Sequence, residues 1–306
     1  MPAETPSPRQ GAGRFAPSPS GELHIGNLRT AILAWLFARS SGRSFLVRVE
    51  DLDRARAGAE EAQLRDLAAV GLTWDAQAVR QSERGDVYRD AVHRLQDAGL
   101  VYECFCTRRE IAEAPRAPHA PEGAYPGTCR NLTEEQRARR RRERPAALRL
   151  RAGVDSRTVR DALHGGYTGV VDDLVLLRND GVPAYNLAVV VDDALQGVDQ
   201  VVRGEDLLPS TPRQAYLAEL LGYPPVEYAH VPLVLNREGR RLAKRDGAVT
   251  LAALADAGWA VPEVVGRILG SLGLPADGLP QALAAFDPAR LPREAWIFEP
   301  PAAGRR

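Results

Sequence analysis

Residues 14–27 constrain the fold of this chain more than any other stretch, because they join an apolar run to a long helical pattern. The connection passes through two prolines and a glycine, and the apolar spacing after it predicts a helix that begins near Gly26. The residues in this pattern are Ile25, Leu28, Ile32, Leu33, Leu36 and Phe37. Residues 44–50 then have the β-branched and aromatic composition of a strand. The segment therefore predicts a parallel β-α-β unit.

The turn before this helix predicts an anion-binding site. Unpaired backbone N–H groups point outward at the start of a helix, where they favour negative charge. Gly21 and Gly26 would let a ligand approach the backbone closely, because glycine has no side chain. A ring N–H of His24 could reach a phosphate from within the turn. The alternative is an ordinary strand-to-helix connection with a surface histidine.

Lys244 is the only lysine in the chain, and all the other residues among its 40 lysines and arginines are arginines. A composition so biased indicates that a guanidinium serves wherever a general cation suffices. The retained ammonium therefore marks a position that needs a compact, mobile point charge. A leftover surface lysine is the alternative interpretation.

Together the two segments resemble the paired ATP-binding signatures of class I aminoacyl-tRNA synthetases. The first resembles His-Ile-Gly-His, with Asn27 in the last place, and the second resembles Lys-Met-Ser-Lys-Ser, with Arg241, Ala243 and Arg245 substituted. The string Arg-Phe-Ala-Pro-Ser-Pro-Ser-Gly-Glu-Leu-His is similar to the glutamyl subgroup, and most similar to the short glutamyl-Q tRNA(Asp) synthetase family. This resemblance covers residues 13–247.

The resemblance implies which residues bind the two small substrates. It assigns catalysis to His24 and Lys244. It assigns ATP, which is expected to bind with Mg²⁺, to Pro17, Gly21, His24, Gly26, Asn27 and Lys244. It assigns L-glutamate to Arg14, Phe15, Ala16, Pro17, Ser18, Glu50, Tyr185 and Arg203.

Three cysteines, Cys104, Cys106 and Cys129, cannot form a paired disulfide framework, but they supply three of the four ligands of a structural zinc. Spacing offers His119 and Tyr125 as the fourth ligand. Imidazole is the commoner zinc ligand, whereas the resemblance favours the tyrosine because the family has Tyr-x-x-x-Cys. We therefore predict one structural Zn²⁺ per chain, held by the cysteines and Tyr125. Three unrelated buried thiols are the alternative.

Other charged residues allow simpler structural interpretations. Asp51 and Asp53 follow the second strand, where helix capping is possible and is favoured for Asp53. Arg203 could pair with Asp206 rather than with a substrate. The basic run 137–144 follows a helix-start pattern, and it is either a solvated helix face or a contact for RNA phosphates.

The predicted fold class is α/β: a Rossmann-like class I synthetase catalytic domain with an inserted zinc-bearing α+β subdomain and a helical C-terminal part. Residues 1–12 are predicted to be a flexible tail, and 13–102 with 183–233 the discontinuous catalytic domain. Residues 103–182 are the inserted, acceptor-binding-like subdomain. Residues 234–306 form a helical region that carries the lysine loop. Within the catalytic domain, 184–193 are a buried element.

Composition places few further limits on function. Hydrophobic residues make up 44% and charged residues 26%, and the formal net charge is zero, so any RNA contact must depend on local basic patches. No apolar run approaches the length needed to span a membrane, and residues 1–13 lack the apolar core of a signal peptide. We expect a cytoplasmic, monomeric protein without a membrane partner.

The resemblance implies activation of glutamate with ATP, without tRNA, and transfer of the glutamyl group to queuosine, the modified wobble nucleoside of tRNA(Asp). Only 62 residues follow Lys244, fewer than an anticodon-binding portion needs. One alternative is a compact glutamyl-tRNA synthetase that charges a tRNA acceptor end. The other is an inactive paralogue that only binds glutamate or RNA.

Overall fold

The computed structural model describes residues 11–113, 125–242 and 249–300. Most of the predicted tail, His119 and Lys244 lie outside these residues. The described strands are β1 Ala12–Phe15, β2 Ser44–Val49, β3 Val79–Arg80, β4 Val101–Cys104, β5 Ala147–Leu150, β6 Ser156–Asp161, β7 Gly165–Val170, β8 Val175–Leu177, β9 Val198–Gly204, β10 Glu227–Val231, β11 Val234–Leu235 and β12 Trp296–Ile297.

Ten α-helices lie among these strands in the described part of the chain. They are α1 Ile25–Ser40, α2 Ala59–Ala69, α3 Gly85–Asp97, α4 Arg108–Glu113, α5 Glu134–Glu143, α6 Tyr185–Leu195, α7 Thr211–Leu220, α8 Leu251–Asp256, α9 Val261–Gly270 and α10 Leu279–Ala284. None of them is both long enough and apolar enough to cross a bilayer.

Seven strands form the main sheet in the order β3-β2-β1-β9-β10-β6-β7. All neighbours are parallel except β6 and β7, which form an antiparallel hairpin. The strand order reverses between β1 and β9, because β2 lies on one side of β1 and β9 lies on the other. In open α/β sheets such a reversal leaves a crevice at the carboxyl ends of the strands, where ligands bind.

The predicted β-α-β unit is confirmed as β1, α1 and β2. Helix α1 is buried on nearly every side rather than on one stripe, since the sheet covers one face and the C-terminal helices cover the other. Gly13 permits this close packing, because a Cβ there would lie 2.9 Å from the Cβ of Ala38 on α1. The helix start is therefore held firmly against the crevice.

Residues 184–193, predicted to be a buried element, are mostly helix α6. Its apolar side chains pack against α3 and α7, which explains why the sequence is hydrophobic over almost its whole length. Two acids in this segment, Asp192 and Asp193, are also buried, at 0% and 7% exposure. Buried carboxylates require charged or hydrogen-bonding partners, and these are provided near the crevice.

Strands β4, β5 and β8 form a separate antiparallel sheet beside the cysteines. The hairpin of β6 and β7 lies within the range of the predicted insert, yet it extends the main sheet. Its contact with β10 pairs Asp161 with Tyr228. A residue of the insert range is thereby brought next to the strands that border the crevice.

The C-terminal part contains helices, as predicted, but it is not helical throughout. Strand β12 pairs in parallel with β11, and the Trp296 N–H donates to the carbonyl of Leu233 over 2.9 Å. The aromatic rings of Trp259 and Trp296 pack on Phe298. An apolar segment that lies beside an unpaired strand edge is stabilised as a strand by pairing with it. Local sequence does not show this pairing.

Candidate active site

His24 caps the start of α1. Its Nδ1 accepts a hydrogen bond from the backbone N–H of Asn27 over 3.2 Å, and the side-chain Oδ1 of Asn27 accepts from the His24 N–H over 3.1 Å. Burial and the nearby charge of Arg241 lower the pKa of His24. The ring is therefore neutral at neutral pH, with its proton on Nε2, which can donate to a phosphate.

Gly26 is required by the ring of His24. A Cβ at this position would lie 2.9 Å from Nδ1 and Cε1 of that ring, closer than real contacts allow. Gly21, in contrast, has no protein atom within 4 Å of where its Cβ would be. The space beside Gly21 belongs to the cavity, so any demand for glycine there would come from a ligand.

Hydrogen bonds from two residues, Gln63 and Glu50, hold the proline-rich turn in place. Gln63 on α2, 3% exposed, donates its amide to the carbonyls of Ser18 and Gly21 over 3.0 and 2.6 Å. The Glu50 N–H donates to the carbonyl of Pro17 over 3.0 Å. The turn is therefore fixed from both α2 and the end of β2.

A cavity of 1380 Å³ opens at the carboxyl ends of β1, β2 and β9. It is larger than most small-molecule sites, so it has room for more than one substrate. Every predicted substrate residue in the described part of the chain lines it: Arg14, Phe15, Ala16, Pro17, Ser18, Gly21, His24, Gly26, Asn27, Glu50, Tyr185 and Arg203.

The residues that flank the lysine segment also line this cavity. Arg241 and Leu242 lie before the undescribed residues, and Val249 and Thr250 lie after them. The carbonyl of Val249 accepts a hydrogen bond from the Ile25 N–H at the start of α1 over 2.7 Å. The two resemblance segments thus meet at one end of the cavity, although Lys244 itself lies outside the described residues.

Arg203, near the end of β9, is 5% exposed and carries a free donor. Its Nε donates to Nε2 of His230 over 3.0 Å, and its Nη2 donates to the hydroxyl of Thr211 over 2.9 Å. Nη1 has no hydrogen-bond partner, and no described carboxylate lies within 4.0 Å of the guanidinium. Asp206, the alternative partner, pairs with Arg241 instead. A ligand carboxylate is the natural partner for this charge.

Arg14 and Glu50 are joined through a buried guanidinium. Arg14 binds Asp193 with its Nε and Nη2 over 3.0 and 3.4 Å. Arg48, 0% exposed, donates to Asp193 over 2.7 Å and to Glu50 over 3.3 Å, and its Nε lies 3.7 Å from Asp192. The network fixes the guanidinium of Arg14 and the carboxylate of Glu50 where both line the cavity.

Burial raises the pKa of the Glu50 carboxyl, although the charges of Arg48 and Arg14 oppose this. A buried carboxylate of this kind gains from a second cation, such as a ligand ammonium. Tyr185, the first residue of α6, lines the same part of the cavity with 43% of its surface exposed. The crevice therefore offers an acid and a phenol close to the charges of Arg14 and Arg203.

The capping interpretation of Asp53 is wrong. Helix α2 begins only after Gly58, which has no side chain to cap it, so the acid is too far along the chain. Asp53 lies 3.7 Å from Arg178, while Asp51 accepts a hydrogen bond from the Ser82 N–H over 2.8 Å. Neither acid contributes a cap to α2.

The predicted helix start before the basic run is confirmed, since Thr133 and Gln136 form a capping box for α5. Several arginines of the run are paired with acids: Arg141 binds Glu103 over 2.6 Å and also binds Glu134. Most of the helix surface is exposed to solvent. Contact of this helix with RNA stays a prediction.

The three cysteines are brought together, and Tyr125 joins them. Their sulfur atoms all lie within 4.8 Å of one another, and those of Cys106 and Cys129 are 3.6 Å apart. The Tyr125 hydroxyl lies 3.3 Å from the sulfur of Cys104 and 3.8 Å from that of Cys106. A tetrahedral zinc with bonds of about 2.3 Å to sulfur separates its ligand atoms by about 3.8 Å. The cluster could therefore hold a metal.

Sequence reasoning missed the side chains that hold the predicted ligand-binding residues. These are Arg48, Gln63, Asp161, Asp192, Asp193, Thr211 and His230. A partial signal existed for the acids of α6, because two adjacent carboxyl groups stand in an otherwise apolar run. A histidine within the apolar strand β10 is a similar signal. Their partners are distant along the chain, so no local pattern identified them.

Comparison with known proteins agrees with this geometry. A family model described as tRNA synthetases class I (E and Q), catalytic domain, matches residues 12–289. The chain is 66% identical to the glutamyl-Q tRNA(Asp) synthetase of Nocardia farcinica, over 94% of this chain and 93% of that protein. The glutamate--tRNA ligase of Geobacter sulfurreducens is 43% identical, over 85% of this chain and 56% of that protein.

Similarity in sequence extends to similarity in structure. A glutamate tRNA ligase from Elizabethkingia meningosepticum, solved in complex with its amino acid, matches with a TM-score of 0.81 and 27% identity. The match covers 95% of this chain and 67% of that one. The glutamyl-Q tRNA(Asp) synthetase of Cutibacterium acnes is 56% identical over 90% of this chain. The chain therefore belongs to the class I tRNA synthetases, and within them to the glutamyl-Q tRNA(Asp) synthetase family.

Proposed function

We propose that this protein activates L-glutamate with ATP in the absence of tRNA and then transfers the glutamyl group to queuosine in tRNA(Asp). The observation that carries the proposal is the unpaired Nη1 of Arg203 in a cavity that also contains the start of α1. The arginine supplies a site for a side-chain carboxylate, and the helix start supplies a site for phosphate. These are the two ligands that glutamate activation requires.

The two arginines bind the side-chain carboxylate of glutamate in this proposal. Arg203 offers its free donor, and Arg14 lies close enough for its charge to act on Arg203. Glu50 and Tyr185 receive the α-ammonium group. The turn residues Phe15, Ala16, Pro17 and Ser18 line the same cavity.

Activation itself requires little acid–base chemistry. An oxygen of the glutamate α-carboxylate attacks the α-phosphorus of ATP, the bond to the pyrophosphate oxygen breaks, and glutamyl-adenylate forms. His24 Nε2–H and the Gly26 N–H at the start of α1 stabilise charge on the α-phosphate, and Asn27 holds the His24 ring in place for this contact. Lys244 meets the departing pyrophosphate, and Mg²⁺ enters as the counterion of ATP. A hydroxyl of queuosine then displaces AMP from the adenylate.

Independence from tRNA is supported by the state of the glutamate-binding residues. The protein alone holds Arg14 through Asp193 and holds Arg203 through His230 and Thr211. No RNA group is needed to bring these guanidinium groups to the crevice. This supports a glutamate site that is formed before an acceptor RNA binds.

Queuosine of tRNA(Asp) is the acceptor that the relatives favour. Identity to proteins named glutamyl-Q tRNA(Asp) synthetase reaches 66 and 56%, whereas identity to glutamate--tRNA ligases is 43 and 42%. Charging of a tRNA acceptor end by a compact glutamyl-tRNA synthetase is the closest alternative. An inactive paralogue that binds glutamate would keep the unpaired Arg203 donor, but it would not need the single lysine.

The cysteine cluster completes the proposal as a structural zinc site. Cys104, Cys106 and Cys129 supply thiolates, and Tyr125 supplies the fourth ligand, because its hydroxyl has ligand-like distances to two of the sulfurs. The metal would tie the end of β4 to residues 125–129. The cluster borders the large cavity through two of its cysteines, so it stabilises one wall of the space available to RNA.

Purified protein should exchange pyrophosphate into ATP when glutamate is present and tRNA is absent. With labelled glutamate, it should label tRNA(Asp) that contains queuosine, because queuosine supplies the acceptor hydroxyl in the proposed reaction. tRNA(Asp) from cells that cannot make queuosine is the control and should stay unlabelled. Labelling of tRNA(Glu) would establish the compact synthetase instead. Failure of exchange with glutamate under all conditions would favour the inactive paralogue.

Tyr125→Phe should lower zinc retention, because it removes the fourth ligand while leaving the ring in place. His119→Ala is the matched variant of the competing residue and should retain about one zinc per chain. Metal content is measured by atomic absorption after dialysis against a chelator. Loss of zinc from His119→Ala with retention by Tyr125→Phe would reverse the assignment of the fourth ligand.

Lys244→Arg should slow adenylate formation by about 10²- to 10³-fold, comparable to the loss of one preorganised donor. A guanidinium is bulkier and planar, so it fits less well between moving phosphate oxygens. Single-turnover adenylate formation is the measurement, and glutamate affinity should change little. Arg240→Lys, at an exposed position, is the control. A rate for Lys244→Arg within a few-fold of the parent rate would show that an ammonium is not required.

A further inference from the structure

His230 and Asp161 form a buried pair directly behind Arg203. His230 lies on β10 and Asp161 ends β6, and the two residues are 0% and 2% exposed. His230 Nδ1 lies 2.6 Å from Asp161 Oδ2, and His230 Nε2 lies 3.0 Å from Arg203 Nε. The three side chains therefore form a chain of contacts that ends at the cavity.

Asp161 and Arg203, which lie on either side of His230, determine which ring nitrogen carries the proton. Asp161 is ionised, because hydrogen bonds from His230 and from the N–H groups of Leu163 and His164 outweigh burial and lower its pKa. An ionised carboxylate only accepts, so Nδ1 carries the proton. A guanidinium only donates, so Nε2 must offer its lone pair to Arg203. Both contacts require the same neutral tautomer.

The neutral ring is also consistent with its surroundings. Burial lowers the pKa of His230, and the neighbouring charge of Arg203 acts in the same direction. Tyr228 stacks on the ring, with an angle of 22° between the two planes. A second proton on Nε2 would face the Nε–H of Arg203 and would remove the acceptor.

Two fixed donors define the plane of the Arg203 guanidinium. Nε is bound to His230 and Nη2 to the Thr211 hydroxyl, and only Nη1 remains unpaired. Rotation of the guanidinium would break both contacts inside a buried site, where unsatisfied donors are costly. The direction of the free donor is therefore set by β10 and α7 rather than by the ligand.

We infer that His230, oriented by Asp161, is a positioning residue that aims Arg203 at the side-chain carboxylate of the amino acid substrate. The inference rests on the proposed function, because it assumes that Arg203 binds this carboxylate. It also assigns a role to the hairpin of β6 and β7, which supplies Asp161 to the amino acid site. Neither residue touches the substrate.

Pyrophosphate exchange measured against glutamate and ATP concentration tests this inference. His230→Leu should raise KM for glutamate by about 10- to 100-fold, because a buried hydrogen bond to a charged group is lost. KM for ATP should stay within about twofold. The rise in KM for glutamate should be about tenfold smaller in His230→Gln, since the side-chain oxygen of glutamine can accept a hydrogen bond from Arg203. His93→Gln, at an exposed site on α3, is the control and should match the parent.

Asp161→Asn provides an isosteric second variant. Its amide N–H₂ can face Nδ1 and drive the ring proton to Nε2, so KM for glutamate should again rise while KM for ATP stays constant. Nitrogen NMR of the parent histidine rings, assigned with His230→Gln, should show Nδ1 protonated and Nε2 unprotonated in His230.

The possible outcomes separate this inference from the proposed function. A parent without glutamate-dependent exchange would overturn both. A parent with exchange, and with KM for glutamate unchanged in His230→Leu and Asp161→Asn, would overturn only the role of His230. An equal rise in KM for glutamate in His230→Leu and His230→Gln would also overturn the role of His230. So would a proton on Nε2 of the parent ring.

Discussion

The arrangement of side chains in the crevice depends on one constraint: the charge of each buried guanidinium group needs a partner. Arg14, Arg48 and Arg203 are all at most 5% exposed, and a cation removed from water must be paired or hydrogen-bonded. Carboxylates surround Arg48 and hold Arg14, whereas Arg203 has only neutral acceptors from the protein. Of these three arginines, the fold therefore leaves Arg203 without a counterion, and this residue lines the cavity.

The fold assembles the proposed phosphate site and the proposed amino acid site from the same few strand ends. Helix α1 is packed so tightly on β1 that its N-terminus has a fixed position over the crevice. The capping pair of His24 and Asn27 then sets the orientation of the imidazole, and the bond from Ile25 to Val249 links this end to the residues after the lysine segment. Rigid elements thus carry the groups that must meet a transition state, which is what preorganisation requires.

Much of the fold followed from local sequence, and the predicted substrate residues followed from the family resemblance. The β-α-β unit, the start of α1, the convergence of the cysteines and the cavity-lining positions of Arg14, Glu50, Tyr185 and Arg203 agree with prediction. The supporting residues did not follow from sequence, because their contacts cross from α6 to β2 or from β6 to β10. Local sequence also cannot show which strand edge is free, and so β12 was missed.

If a substrate carboxylate is the partner that Arg203 lacks, this residue should determine how well the protein discriminates between glutamate and glutamine. The ratio of kcat/KM for the two amino acids is measured by pyrophosphate exchange in the parent, in Arg203→Leu and in the exposed control Arg237→Leu. A buried charge pair contributes about 2–5 kcal/mol, so the parent and control should prefer glutamate by at least about 30-fold. The ratio should fall towards one in Arg203→Leu. An undiminished preference for glutamate in Arg203→Leu would show that Arg203 does not bind the substrate carboxylate.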